Sequence, residues 1–284
     1  MIKEICLYIF LSIIFFKIYN KYISNLIIDK PNHRSSHIKV VPTSGGLLFL
    51  LIHFISIIFS GNYNLFILLP IGVIGFIDDL FDIKQFYRLC FQIINIYFIA
   101  ELYVNFDIFK SIQLPSSIIF FIILIFGITL VNCINFMDGI DGLVSSNMFL
   151  IFLNYTFIFN SEFIGITFAL FVFLFYNWSP AKLFMGDSGS TFLGLVLFYM
   201  ISTSNNLNDS FILFLTASPL LMDSLVCILR RYLNKENIFS PHKKHLYQRM
   251  HQKGMKHEEV SIIYAVCTFI LIIFSHTNNL IIMS

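Results

Sequence analysis

An all-α, polytopic membrane protein is the fold class this sequence predicts. Three observations predict it: 57% of the 284 residues are hydrophobic, only 12% are charged, and apolar runs recur along the whole length. A soluble globular domain carries about 25% charged residues, and a backbone in lipid has to satisfy its polar groups inside helices. The 35 Phe and a mean hydropathy of +0.82 agree. A soluble two-domain enzyme is excluded, and a net charge of +2 makes no case for nucleic-acid binding. The chain reads as one integral membrane domain over residues 1–284.

Ten apolar segments follow in order, near 5–24, 46–60, 65–77, 88–104, 116–134, 143–159, 163–178, 190–204, 210–229 and 259–281. The first, behind Lys3, has no small-residue cleavage site after it, so it reads as a retained helix rather than a secretory leader. Several segments fall short of the roughly 20 residues a straight span needs, so their polar flanks extend the helices or neighbours enclose them. Cys6, Cys90, Cys133, Cys227 and Cys267 are scattered singly and read as small hydrophobes. No internal repeat or transporter-like inverted symmetry is visible.

Ten spans predict about ten transmembrane helices with both termini on one side, and the loops then separate by charge. The set near 25–45, 78–88, 132–142, 179–189 and 230–258 holds 14 of the 18 Lys and Arg. The opposite loops hold Lys110 alone, with Lys3 on their side. The positive-inside rule makes the basic set cytoplasmic and both termini external. The same inner loops collect short, Gly-flanked acidic turns, which a purely structural membrane protein has no reason to do.

Each inner loop carries a recognisable chemistry. In the first, Arg34, His33, His37 and Lys39 suit phosphate, and Gly45-Gly46 lets backbone approach a ligand or begin the next helix; a solvated basic loop beside lipid headgroups is the alternative. In the second, Asp78 and Asp79 repel one another at a membrane boundary, which calls for a cation: Mg²⁺, Lys84 or Arg88. In the third, Asn132, Asn135 and Asp138 recur at intervals of three and share one side of a continued helix, followed by Asp141. In the fourth, Asn177 and Phe184 precede Gly186-Asp187-Ser188-Gly189-Ser190, which places a carboxylate at a helix start, as a metal ligand shared with a diphosphate or as a simple cap. In the fifth, His242, Lys243, Lys244, His245 and Arg249 form an anion clamp; His242-x-x-His245 as a zinc pair lacks further obvious ligands in the sequence. Asp223, inside the ninth span, is costly there and reads as functional or ion-paired.

Together these loops resemble the polyprenyl-phosphate N-acetylhexosamine-1-phosphate transferase superfamily over nearly the whole chain. The resemblance rests on Asp-x-Pro-Asn-x-Arg-Ser-Ser-His at 29–37, Asp78-Asp79, Asn-x-x-Asn-x-x-Asp-Gly-x-Asp-Gly-Leu at 132–143, Phe-Met-Gly-Asp-Ser-Gly-Ser at 184–190, and the His-containing last loop. It implies transfer of a sugar 1-phosphate from a UDP-N-acetylhexosamine to undecaprenyl phosphate in the bacterial inner membrane, with Mg²⁺ (Mn²⁺ as the alternative ion) and release of UMP. It further implies that Asp187 is the metal ligand and Asp78 with Asp79 the catalytic pair. Arg34, His37, Arg88, Asn132, Asn135, Asp138, Asp141, Asn177, Phe184, His242, His245 and Arg249 are the implied substrate-binding positions. Ser44 stands where related members often have Arg, and His245-Leu-Tyr-Gln248 where many have a His-x-His-His cluster. The latter resembles the branch that initiates O-antigen or capsule units rather than the peptidoglycan branch.

A lipid phosphate is mostly ionised at pH 7, its second pKa being near 6, so the aspartates act either as base or as positioning groups. A transporter or binding protein for a nucleotide sugar or lipid phosphate is the rival reading, but it predicts charged groups at the bilayer midplane rather than at one interface. The identity of the sugar and the presence of a homodimer are open at this level.

Overall fold

The computed structural model describes residues 1–24, 27–29, 40–106, 114–237, 240 and 242–283, with side chains as far as residue 277. Ten helices correspond one by one to the ten apolar segments: α1 (Ile2–Tyr22), α2 (Leu47–Ser60), α3 (Leu69–Phe81), α4 (Gln85–Tyr103), α5 (Ser116–Met137), α6 (Leu143–Ile158), α7 (Ile164–Asn177), α8 (Gly186–Ser202), α9 (Leu207–Leu233) and α11 (His257–Met283). A seven-residue helix, α10 (Leu246–Gln252), precedes the last. The hydropathy pattern does not anticipate it, because it carries no apolar run. Nor does it anticipate the two-residue antiparallel ladder of Ile28–Asp29 with Val41–Pro42.

The protein is an all-α membrane protein. Four stretches are long and apolar enough to cross a bilayer by length and composition: Tyr63–Phe81, Ser116–Met137, Leu207–Leu233 and His257–Thr277. Leu47–Ser60, Leu143–Ile158 and Ser161–Asn177 are shorter apolar helices. Phe54, Phe59, Phe121, Phe175, Phe211 and Phe274 lie exposed on the outside, as suits a surface solvated by lipid tails.

α8 is the hub. Every residue from Ser188 to Ser202 is buried, the mark of a helix enclosed on all sides, and it packs most extensively against α3 and α5. Small residues allow this closeness: a Cβ on Gly75 of α3 would lie 2.5 Å from the Asp187 carbonyl oxygen. Polar pairs join the outer helices, where lipid offers no competing partner. Thr268 Oγ1 donates to Asn147 Oδ1 at 2.7 Å, Thr156 and Thr167 share a 2.8 Å bond, and Ser224 Oγ donates to the Cys133 carbonyl at 3.1 Å.

Helix ends differ from the hydropathy boundaries where backbone hydrogen bonding continues through polar residues. α3 runs on to Phe81, and Asp82 N–H donates to the Asp78 carbonyl. Asp78 and Asp79 therefore sit in the last helical turn and not in a loop. α8 begins at Gly186 rather than near 190, which brings Asp187 into its first turn.

Candidate active site

The C-terminal ends of α3, α5 and α7 meet the N-terminal ends of α6, α8 and α11 on one face of the bundle. They enclose a cavity of about 450 Å³ whose polar wall is largely acidic: Asp29, Asp79, Asp138, Asp141 and Asp187 line it, with Asn135, Asn177, Ser190, Gln248 and His257.

Asp79 is the keystone of the wall. Its Oδ1 accepts from Asp187 N–H at 2.8 Å; its Oδ2 accepts from Ser188 N–H at 3.3 Å and Ser44 Oγ at 2.9 Å. A carboxylate from α3 thus caps the N-terminus of α8, satisfying N–H groups that have no partner within the helix. The helix start is therefore capped by Asp79 from another helix and not by Asp187, the cap the simpler sequence alternative had offered. Gly186, at φ +70°, is required here: a Cβ would lie 2.4 Å from Asp79 Oδ2.

Asp187 faces outward from that capped turn. Asn135 Nδ2 donates to its Oδ1 at 2.9 Å and to Ser190 Oγ at 2.8 Å, and Arg88 Nη1 donates to its Oδ2. The same guanidinium nitrogen donates to Asp78 Oδ2 at 2.5 Å, while Ile83 N–H donates to Asp78 Oδ1 at 2.7 Å. Arg88 is thus the protein's own cation between two carboxylates. Asp138 caps the C-terminus of α5. Burial, aided by the charges of Asp187, Asp79 and Asp141, pushes its carboxyl up to about 8. Carboxylates crowded in this way favour a bound cation.

Asn177, Asp141 and Phe184, among the implied substrate-binding positions, hold the loops together. Asn177 is 3% exposed and clasps two of them. Its Oδ1 accepts from Gly142 N–H at 3.2 Å and Ser145 Oγ at 2.7 Å, and its Nδ2 donates to the Leu183 carbonyl at 3.1 Å. Asp141 Oδ2 accepts from Ala181 N–H at 3.0 Å and lies 3.3 Å from His257 Nδ1. Phe184 lines the cavity, and its backbone bonds to Pro42 and Gly45. The Gly45-Gly46 pair serves backbone approach to this neighbouring loop, since Gly46 N–H also donates to the Met185 carbonyl at 2.9 Å.

The structure does not gather all the predicted residues at one place. Asn132 points between α4 and α5, donating to Gln92 Oε1 at 2.7 Å, and is separated from Asn135 and Asp138 at the cavity. Arg34 and His37, with His33 and Lys39, lie outside the described residues. Arg249 lines a second cavity of about 490 Å³ with Arg230, Arg231, Lys243, Lys244 and Glu236. His242 and His245 stack at 4.9 Å between ring centroids. Burial, then Arg231 and its neighbours, lowers His242 to about 4. For His245 burial acts downward but is outweighed by Asp223 and Cys227, which hold it up at about 9. Asp223 is indeed paired: it accepts from Leu246 N–H at 2.6 Å, Tyr247 N–H at 3.0 Å and Tyr264 Oη at 2.7 Å.

His257, Gln248, Asp29, Thr43 and Ser190 are polar cavity residues outside the predicted set, the last three lying within or beside the motifs already noted. His257 stands at the start of the last span beside two glutamates, a position that reads as an ordinary polar flank. Gln248 belongs to the short α10, which has no hydropathy signal.

The oxygen-rich donor set of Asp187, Asp138 and Asn135 fits Mg²⁺ or Mn²⁺ and not a thiophilic ion. The fold and site thus define a helical membrane protein with an acidic, cation-suited cavity at one end. The pattern of glycosyl transferase family 4 matches residues 43–205. The chain belongs to that family, within the polyprenyl-phosphate sugar-1-phosphate transferase superfamily. It is 29% identical over 277 residues to a probable undecaprenyl-phosphate N-acetylglucosaminyl 1-phosphate transferase of Bacillus subtilis, covering 84% of this chain and 74% of that protein. It is likewise 29% identical over 232 residues to an undecaprenyl-phosphate alpha-N-acetylglucosaminyl 1-phosphate transferase of Thermotoga maritima, covering 80% and 73%. A phospho-N-acetylmuramoyl-pentapeptide-transferase of Staphylococcus carnosus is 32% identical over 200 residues, covering 57% and 62%.

Proposed function

We propose that this protein transfers an N-acetylhexosamine 1-phosphate from a UDP-N-acetylhexosamine to undecaprenyl phosphate, giving the undecaprenyl-diphosphate sugar and UMP. This is the first membrane step of a cell-envelope glycan such as an O-antigen or capsule. The observation that carries the reading is the acidic cavity at the start of α8, most of whose lining comes from three separate segments of the family-matched region, with Asp29, Gln248 and His257 added from outside it. In this reading all ten long helices cross the membrane and the cavity opens to the cytoplasm, where a soluble nucleotide sugar and a bilayer-bound phosphate can meet.

Asp187 would hold Mg²⁺, with Asn135 orienting its carboxylate and Asp138 as a neighbouring oxygen donor on the cavity wall. When bound, the ion supplies positive charge to the diphosphate and to the leaving UMP. Asp79 holds the first turn of α8 so that Asp187 faces the cavity. Asp78 and Arg88 form the adjoining pair, from which the guanidinium can turn to a phosphate oxygen. The oxygens of Asp78 and Asp79 are already engaged by N–H and O–H donors. We assign both to positioning rather than to proton abstraction, which an ionised lipid phosphate does not need. Asn177 and Asp141 tie the loops that carry Phe184 against the nucleotide.

The test is UMP release by detergent-purified protein supplied with undecaprenyl phosphate, Mg²⁺ and a panel of UDP-N-acetylhexosamines. Release that requires lipid, metal and Asp187 supports the transferase and names its sugar. Nucleotide-sugar binding without UMP release from any donor overturns it in favour of a binding protein or transporter.

A further inference from the structure

We propose that Cys227, His242 and His245 form a zinc site, separate from the acidic cavity, that fastens the loop before α10 to the end of α9. The ligand atoms of these three residues all lie within 4.8 Å of one another. A tetrahedral zinc, about 2.3 Å from sulfur and about 2.0–2.1 Å from nitrogen, sets its donors roughly 3.5 Å apart. Side-chain shifts of about an ångström close the set around an ion.

His245 supplies an independent observation. It is 3% exposed, and its Nδ1 has no hydrogen-bond partner. The nearest carboxylate oxygen, Asp223 Oδ1, stands 3.8 Å away and already accepts from Leu246 N–H. An ion among His245, His242 and Cys227 would give this nitrogen a close partner, displacing the proton that Asp223 and Cys227 favour on the ring.

The donor set decides the metal. One thiolate and two imidazoles select zinc over Mg²⁺, whose preference is for oxygen, so the ion that serves the acidic cavity does not serve here. With three protein donors, the fourth position falls to water. The His242-x-x-His245 pair lacked a further ligand when only the sequence was considered, because Cys227 lies 15 residues upstream on another element. The fold brings it within reach.

The site would also reach the acidic cavity mechanically. His245 is the N-cap of α10, in which Tyr247 Oη donates to the Phe136 carbonyl at 3.1 Å and Gln248 lines the cavity. Zinc would hold that short helix in register. The inference is independent of the transfer reaction.

The test is metal analysis of the full-length protein in detergent after equilibration with zinc and removal of excess. Cobalt substitution, read as thiolate-to-cobalt charge-transfer absorption, accompanies it. One tightly held zinc per chain and a cobalt–thiolate band are expected. Both should be lost in Cys227→Ser and in His242→Ala and kept in Cys267→Ser. Cys227 should also resist alkylation until a chelator is added. Wild-type protein with an intact melting transition that retains no zinc and shows no cobalt–thiolate band overturns the proposal. So does Cys227→Ser that holds zinc as tightly as wild type. Because zinc content and the cobalt spectrum are read without substrate, failure here leaves the transferase reading standing, and the reverse also holds.

Discussion

Two cavities of opposite character meet at α10, and neighbouring residues of that helix serve different ones: Gln248 lines the acidic cavity, Arg249 the basic one. The first collects aspartates whose charges a cation must balance. The second collects Arg230, Arg231, Lys243, Lys244 and Arg249 around a single Glu236, with Cys227 at its wall. The acidic cavity is built on helix ends locked by short bonds to backbone, as in the Asp79 cap. The basic cavity is built from the end of α9, the loop after it and α10. The contrast teaches that charges of opposite sign gather in separate cavities on neighbouring parts of the fold, one fixed by helix ends and the other spread over a helix end, a loop and α10.

The largest expected effect breaks the comparison at its acidic side. Asp187→Asn should lower UMP release by roughly 10²- to 10³-fold, the scale on which loss of one preorganised electrostatic group is felt. The melting temperature should move little. Activity within threefold of wild type would dissolve the distinction between the cavities.

Next is the packing beneath that site. Gly75→Ala pushes a methyl into the Asp187 carbonyl, and overpacking of this kind costs about 1–3 kcal/mol. Thermal unfolding in detergent should show it, and an unchanged transition would mean that α3 and α8 are not locked together as described. Asp79→Ala removes the cap of α8, a loss of about 1 kcal/mol. It should lower stability and activity together, whereas Asp187→Asn lowers activity alone.

The smallest effect sharpens the basic side. Arg249→Ala should raise the half-saturating concentration of undecaprenyl phosphate by at most roughly fivefold, since a partly exposed charge contact contributes up to about 1 kcal/mol. Raising ionic strength should shrink the difference. A salt-independent collapse of turnover would instead place Arg249 among the reacting groups.

Much of this was legible along the chain. The ten apolar segments became ten helices, in which each run satisfies its own backbone hydrogen bonds. Asp187, Asn135, Asp138 and Asp141 stood out because acidic and amide residues near glycine at a membrane boundary are expensive and rarely idle, whereas Asn177 and Phe184 were pointed to by the family resemblance. Asn132 was drawn in by its spacing of three from Asn135, yet its side chain turns to Gln92. Spacing places residues on a side of a helix but does not say which neighbour that side meets. α10 escaped notice because seven residues without an apolar stripe leave no periodic trace.

The sequence by itself determined the class of protein, the number of long helices and the chemistry available at one face, since all three follow from composition, hydropathy and the order of charged loops. Only the tertiary structure decided that Asp79 caps α8 while Asp187 faces the cavity, that Arg88 bridges Asp78 and Asp187, and that Cys227 stands beside His242 and His245. These are distances between residues far apart in the chain. They are set by how helices pack, and linear order does not encode that packing in a form that can be read residue by residue.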